Sequence, residues 1–167
     1  EGSTFWIELE CADGQGQNKQ KQQNTEIYRE SDTTEQSDSY EVLCVEDNPT
    51  NMKLIKNLLA ERNDIRMLSA GNGELGLELA TSHCPDLILL DINLPGISGY
   101  EVIQQLKESK ETKDITVIAI SANAMPSDID KAKTAGFNDY LTKPFDIDSF
   151  HNMIESYLPL RKTSRDS

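Results

Sequence analysis

The segment YEVLCVEDNP, residues 40–49, passes from a buried-strand pattern to a helix-start signal. Its apolar part is rich in Val and Leu, which is typical of a strand covered on both faces. Glu46 and Asp47 follow the apolar part directly. Asn48 then provides a capping side chain, and Pro49 suits the first helical position. The segment therefore predicts a strand that delivers two carboxylates to the start of a helix.

Three later apolar runs also end in a polar residue. They are DLILL before Asp91, ITVIAI before Ser121 and NDYLT before Lys143. Amphipathic stretches of about 10 to 15 residues separate the runs, which is the pattern of βαβ units. In a doubly wound sheet of this class, ligands bind outside the carboxyl ends of the parallel strands. We therefore expect an α/β domain with its chemistry at that edge.

The same patterns predict five strands and five helices. In the last helix, Ile147, Phe150, Ile154 and Leu158 are expected to form one apolar stripe against the sheet. Strands are expected near 41–45, 65–69, 86–90, 115–120 and 138–142, and helices near 49–61, 72–83, 98–108, 126–135 and 146–158.

Composition excludes several classes of protein. The 167 residues include 16 Lys and Arg against 29 Asp and Glu, a net charge of −13, which argues against binding to nucleic-acid phosphates. Cys11, Cys44 and Cys84 show no paired ligand spacing, so we expect free thiols and a reducing compartment. No apolar run approaches the length of about 18 residues that a membrane helix needs. We expect a cytoplasmic fragment without membrane contact.

The chain divides into four segments by composition. Residues 1–10 contain STFWIEL, an alternating pattern typical of a short strand, here without a partner strand. Residues 11–39 are almost entirely polar and predict a flexible linker. Residues 40–160 form the predicted α/β domain, and residues 161–167 form a polar tail.

The strand ends bring candidate site residues together. If strands one and three are neighbours, as in the order 2-1-3-4-5, Glu46, Asp47 and Asp91 lie within a few ångströms of one another. Their mutual repulsion is relieved by a hard divalent cation with oxygen ligands, and Mg²⁺ suits such a site. Lys143 would add a positive charge facing Asp91, and Ser121 a hydroxyl. This arrangement suits phosphoryl transfer with Asp91 as the nucleophile.

Each of these residues also has a purely structural explanation. The acidic pair before Asn48 is typical of a helix-capping turn. Asp91 precedes a loop that contains Pro and Gly and suits a turn, Ser121 suits a helix cap, and Lys143 suits a solvated surface position. The functional interpretation depends on their joint occurrence in this order.

Four motifs together resemble the receiver domain of two-component signalling proteins. The resemblance covers residues 40–158 and implies a flavodoxin-like receiver fold, so the strand order 2-1-3-4-5 is partly carried over from it. The motifs are VEDN at 45–48, LLDINLPGISGYE at 89–101, AISANAM at 119–125 and DYLTKPF at 139–145.

The resemblance implies how a metal and a phosphoryl group would be held. Asp91 would be the phosphoacceptor and would share Mg²⁺ with Asp47. Glu46, which stands where many members carry a second Asp, would hold the ion through water. The backbone carbonyl of Asn93 would be a further ligand. The side chains of Asn93 and Asn123 resemble ones that influence the lifetime of the phosphate.

The resemblance also implies a switch. Ser121 and Lys143 would contact the phosphoryl oxygens, and a cis peptide would join Lys143 to Pro144. Tyr140 would be the switch aromatic, which moves inward when Ser121 moves toward the phosphate. The alternative is that Tyr140 is an ordinary aromatic residue of an edge strand.

The N-terminal segment resembles part of another domain. GSTFWIEL at 2–9 is similar to the last strand of the ATP-binding domain of histidine kinases. Beside a receiver, it implies the C-terminal receiver of a hybrid sensor histidine kinase, a class that can be anchored in the inner membrane. Neither His83 nor His151 lies in a phosphoacceptor-helix motif, and no nucleotide-binding glycine box is present. The fragment is therefore expected to promote its own phosphotransfer and dephosphorylation, but not to use ATP.

The implied function is a step in a phosphorelay. The receiver would take a phosphoryl group from a histidine kinase core, in the same chain or its dimer partner. It would then pass the group to a histidine-phosphotransfer protein or hydrolyse it. Alternatives are a stand-alone response regulator, a phosphorylation-independent binding module, and a phosphatase with an aspartyl nucleophile. Such phosphatases usually carry a second Asp at the position of Asn93, and binding modules usually lack Asp91 or Lys143.

Overall fold

The computed structural model describes residues 39–160. The expectations for residues 1–10, for the linker up to residue 38 and for the tail at 161–167 lie outside the described residues. The elements are β1 (Tyr40–Val45), α1 (Pro49–Leu59), β2 (Ile65–Ala70), α2 (Gly73–His83), β3 (Leu87–Asp91), α3 (Gly99–Glu108), β4 (Thr116–Ser121), α4 (Pro126–Ala135), β5 (Asp139–Thr142) and α5 (Ile147–Tyr157).

The five strands form one parallel sheet in the order β2-β1-β3-β4-β5, as predicted. One hydrophobic core lies on each face of the sheet: α2, α3 and α4 contribute to the first, and α1 and α5 to the second. The central strand β3 is buried along its whole length, which explains its uninterrupted apolar sequence. Among residues 39–160, no helix has both the length and the apolarity to span a membrane.

The register of the sheet aligns the strand ends. Val45, the last residue of β1, pairs with Leu90 in β3. The next residues along each strand, Glu46 and Asp91, therefore emerge side by side. The pairing of β4 with β5 brings the ends of those strands to the same edge. The sheet thus collects polar side chains from distant parts of the sequence.

Local signals fix the helix starts next to this edge. Asn48 caps α1 by accepting hydrogen bonds from the N–H groups of Thr50 and Asn51, and Pro49 occupies the first turn, as predicted. Ser98 and Glu101 form a reciprocal capping box at the start of α3. These caps satisfy backbone N–H groups at both helix N-termini beside the strand ends.

The loop after β3 passes very close to α3. A Cβ atom built on Gly99 would lie 2.4 Å from the backbone oxygen of Asp91 and 2.7 Å from Cα of Ile92. Both contacts are to backbone, which cannot move aside as a flexible side chain could. Position 99 therefore requires glycine if α3 is to pack directly beneath the end of β3.

The prediction that Ile147 belongs to the core is wrong. Ile147 is 52% exposed, whereas Phe150, Ile154 and Leu158 are buried as expected. Helical side chains lean toward the helix N-terminus, and Ile147 is the first residue of α5, so no earlier turn of its helix lies beneath it. The predicted boundaries agree with the structure to within two residues, and β3 and β4 extend to include Asp91 and Ser121.

Candidate functional site

Three carboxylates meet at the carboxyl edge of the sheet. Glu46, Asp47 and Asp91 each offer an oxygen atom, and these atoms all lie within 4.8 Å of one another. Glu46 and Asp91 are buried, with 1% and 3% exposure, whereas Asp47 is exposed. The convergence predicted from the strand order is therefore present. A set of hard oxygen donors of this kind fits Mg²⁺.

Lys143 lies between the two buried carboxylates. Its Nζ donates hydrogen bonds to Oε2 of Glu46 and to Oδ2 of Asp91, each at 2.6 Å. Burial of the ammonium lowers its pKa, but the hydrogen bonds and charges of Asp91 and Glu46 outweigh this and leave the pKa of Lys143 raised. The ammonium thus stays charged and offsets the repulsion between the two carboxylates. The peptide bond from Lys143 to Pro144 is cis, as the resemblance implied.

The other oxygen of Glu46 faces the start of α1. Oε1 accepts hydrogen bonds from the backbone N–H of Asn48 and from Nδ2 of Asn51, each at 3.1 Å. Asn51 was not among the residues predicted for the site. A polar residue in the first turn of a helix is ordinary, so the sequence gives no signal that separates Asn51 from a simple surface residue.

The remaining predicted residues are linked through Asn123. The backbone N–H of Asn123 donates to Oγ of Ser121 at 3.2 Å, and its carbonyl accepts from the hydroxyl of Tyr140 at 2.7 Å. Ser121 is buried at the end of β4, and Tyr140 is half-buried on β5. One peptide segment after β4 therefore connects both residues. On the other side, the backbone N–H of Asn93 donates to Oδ1 of Asp91 at 2.9 Å.

The two described cysteines are free, as expected. Cys44 is buried in β1 directly beside the site, and burial raises the pKa of its thiol well above the usual range. It is therefore a small apolar core residue rather than a reactive group. Cys84 is exposed at the end of α2. The expectation for Cys11 lies outside the described residues.

The fold and the site together define a doubly wound α/β protein with an acidic cluster and a partly buried lysine at the carboxyl ends of its strands. The chain belongs to the response regulator receiver family, because the family model "Response regulator receiver domain" matches residues 42–155. The receiver domain predicted from the four motifs is thus confirmed.

Individual relatives agree with this assignment. The chain is 43% identical over 117 residues to the polar-differentiation response regulator DivK of Brucella anthropi. The match covers 70% of this chain and 94% of the relative. It is 30% identical, with a TM-score of 0.66, to the receiver domain of a Pseudomonas aeruginosa sensor histidine kinase. That match covers 73% of this chain and 99% of the other, which was solved with magnesium coordinated in its active-site cleft.

A second solved receiver comes from a signal transduction histidine kinase of Syntrophus aciditrophicus. It is 26% identical to this chain, with a TM-score of 0.66, and the match covers 77% of this chain and 98% of that one. The family therefore includes relatives named as response regulators and receivers named as parts of histidine kinases.

Proposed function

We propose that this chain is a phosphoacceptor receiver in which Asp91 forms an aspartyl phosphate. The observation that carries the proposal is the environment of the Asp91 carboxylate. It is buried at the end of the central strand, lies in a cluster of three carboxylates and faces the Lys143 ammonium at 2.6 Å. Membership of the receiver family supports the same assignment.

In the proposed reaction, a carboxylate oxygen of Asp91 attacks the phosphorus of a phosphohistidine. An O–P bond forms and the N–P bond breaks, and the imidazole nitrogen leaves with the electron pair of that bond. Lys143 and Ser121 would contact the transferred phosphoryl oxygens, so that the ammonium and the hydroxyl stabilise the charge there. Lys143 would have to exchange part of its contact with Asp91 for the phosphoryl group.

The residues of the cluster fit a magnesium site. Asp47 and Asp91 would bind the ion directly, Glu46 through water, and Asn93 through its backbone carbonyl. Asp47 is exposed and accessible to an incoming hydrated ion, whereas Glu46 already holds donors on both oxygens, which suits an indirect role. When bound, Mg²⁺ would neutralise charge on the phosphoryl oxygens.

Phosphorylation would be transmitted through the segment after β4. A movement of Ser121 toward the phosphoryl group would pull on the Asn123 peptide and disturb its hydrogen bond with Tyr140. The surface formed by residues 115–145 would then differ between the two states, and partners would bind one state better than the other. This gives Tyr140 the switch role that the resemblance implied.

For the whole protein, a stand-alone response regulator is our first proposal. It is supported by the 43% identity to DivK, of which the match covers 94%. A receiver of a hybrid histidine kinase, expected from GSTFWIEL at 2–9, becomes the second candidate, supported by the solved receivers of kinases. A histidine kinase core is the proposed donor in both settings, and a histidine-phosphotransfer protein the proposed acceptor in the second.

The proposal is tested with beryllofluoride, a mimic of the aspartyl phosphate. We expect saturable two-dimensional NMR shifts at Asp91, Ser121 and Tyr140 when beryllofluoride is added with Mg²⁺. The shifts should vanish in Asp91→Asn and persist in Asp86→Asn, a control at the exposed residue just before the other end of β3. No response in the wild type would favour a binding module without phosphotransfer chemistry. If the wild type does respond, transfer of labelled phosphate from the chain to purified histidine-phosphotransfer proteins would distinguish a relay from simple hydrolysis.

A further inference from the structure

We propose that Asn51 is a positioning residue that orients the Glu46 carboxylate and thereby sets the affinity of the site for Mg²⁺. The inference rests on the proposed function, because Glu46 is a member of the proposed magnesium site. It assigns a role at that site to a residue of the first turn of α1, outside the set of metal ligands and phosphate contacts.

The contacts of Glu46 divide cleanly between its two oxygens. Oε1 accepts from Nδ2 of Asn51 and from the backbone N–H of Asn48, both at 3.1 Å, so both donors come from the start of α1. Oε2 accepts from Lys143 at 2.6 Å and faces Asp91. The side chain of Glu46 is thus fixed at both ends of its carboxylate. Oε2 is kept facing the cluster because Oε1 is hydrogen-bonded to the start of α1.

Asn51 is itself held in place. Its backbone N–H donates to Oδ1 of Asn48, the residue that caps α1. Its side chain therefore projects from a fixed turn of helix rather than from a mobile loop. A residue that is anchored in this way can transmit the position of the helix to the carboxylate that it holds.

Loss of the Asn51 amide would leave Oε1 with a single donor. Because Glu46 is almost completely buried, water cannot readily replace the missing hydrogen bond. A glutamate also has one more rotatable bond than an aspartate, so its carboxylate depends more strongly on such restraints. Rotation of the carboxylate would displace Oε2, which holds Lys143 and belongs to the cluster, and would so change the set of donors offered to Mg²⁺. Loss of a partner that orients a direct ligand typically weakens metal binding about 10-fold to 100-fold, and because Glu46 would act through water we expect the lower end of that range.

The test is the dissociation constant for Mg²⁺, measured by calorimetry on the full chain. We expect Asn51→Ala to weaken binding about tenfold. Asn57→Ala, the same change at an exposed position of the same helix, should leave the constant within twofold of the wild type. In a Glu46→Gln background, Asn51→Ala should have little additional effect, because residues that act through one contact are not additive.

Melting in the presence of EDTA separates positioning from a structural role. If Asn51→Ala melts earlier but binds Mg²⁺ as tightly as the wild type, the inference is overturned. An additive effect in the Glu46→Gln background overturns it as well. If Asn51→Ala does not fold, Asn51→Leu, which keeps a similar shape without the donor, undergoes the same measurements. Failure of the wild type itself to bind Mg²⁺ would overturn the proposed function, whereas wild-type binding with unaffected variants would overturn the Asn51 role alone.

Discussion

The ammonium of Lys143 and the carboxylate of Asp91 lie 2.6 Å apart although 52 positions separate them in the sequence. Lys143 makes an equally short contact with Glu46, which is 97 positions away. One cation therefore balances two buried carboxylates that arrive from different strands. Through these two contacts Lys143, the residue after β5, joins the ends of β1 and β3.

Removal of that cation should destabilise the fold and impair phosphotransfer. In Lys143→Ala, the Glu46 and Asp91 carboxylates would face each other without an ammonium between them. We expect a loss of about 2 kcal/mol in the free energy of unfolding without Mg²⁺, the scale of a charged hydrogen-bonded contact. Chemical denaturation in EDTA measures this loss. Phosphotransfer to Asp91 should slow at least about tenfold, because a hydrogen bond to a charged group is worth about 1.5–3 kcal/mol and about 1.4 kcal/mol in the barrier is a factor of ten in rate.

Lys133→Ala provides the control, because Lys133 is exposed on α4. It should change neither stability nor phosphotransfer. If Lys143→Ala transferred phosphate at the wild-type rate, the assignment of Lys143 as a phosphoryl contact would be wrong.

Magnesium should stabilise the folded chain by mass action. At a concentration one hundred times its dissociation constant, the ion would add about 2.7 kcal/mol to the free energy of unfolding. The melting temperature should therefore rise with Mg²⁺ concentration in the wild type. In Asp47→Asn the rise should be largely lost, because the exposed direct ligand is gone. Asp114→Asn, an exposed change before β4, should respond like the wild type. An unchanged melting temperature of the wild type across millimolar Mg²⁺ would contradict the metal site.

The sequence predicts the fold because each strand carries its own signal. Uninterrupted apolar runs such as the one before Asp91 identify buried strands, and the polar residue after each run marks the functional edge. Together with the resemblance, these local signals give the strand order and the convergence of the carboxylates. The βαβ pattern alone does not determine which strands are neighbours, so the strand order is partly carried over from the resemblance.

The details that the sequence did not predict depend on tertiary geometry. The hydrogen bond from Asn51 to Glu46 depends on the rotamer of a buried glutamate, which no pattern encodes. The link from Tyr140 through Asn123 to Ser121 depends on the path of the segment after β4. Ile147 has helical spacing but no partner beneath the first turn of its helix. Periodicity identifies a face of a helix, and packing decides how far along the helix that face is covered.

The close approach of α3 to β3 gives a prediction for Gly99. In Gly99→Ala, the new methyl group would meet the backbone of Asp91 and Ile92. We expect a loss of about 1–3 kcal/mol in stability, the usual cost of overpacking, together with a displaced Asp91 and weaker Mg²⁺ binding. Gly71→Ala is a matched control, because a Cβ there has no neighbour within 4 Å. Denaturation and Mg²⁺ calorimetry on both variants check the prediction, and equal effects of the two changes would contradict it.

The capping box of α3 should make the stability of the fold depend on pH in the acidic range. The backbone N–H of Ser98 and then its hydroxyl donate to the Glu101 carboxylate and lower the pKa of Glu101 below its ordinary value of 4.5. Because the pKa of Glu101 is lowered in the folded state, the ionised cap stabilises the fold fully at pH values above the ordinary pKa of 4.5. That contribution is lost as the pH falls through the folded pKa. Glu101→Gln removes the titrating group, so it should be less stable than the wild type at pH 7.

The difference between the wild type and Glu101→Gln should shrink as the pH falls below about 4.5. Urea denaturation of both proteins across this pH range measures it. Glu108→Gln, at the other end of the same helix, is the control, because Glu108 is too far from the N-terminal cap to take part in it. The difference in stability between Glu108→Gln and the wild type should not shrink in this way as the pH falls. A gap between the wild type and Glu101→Gln that stays constant from pH 7 to pH 3 would mean that the Ser98 hydrogen bonds do not favour the ionised carboxylate.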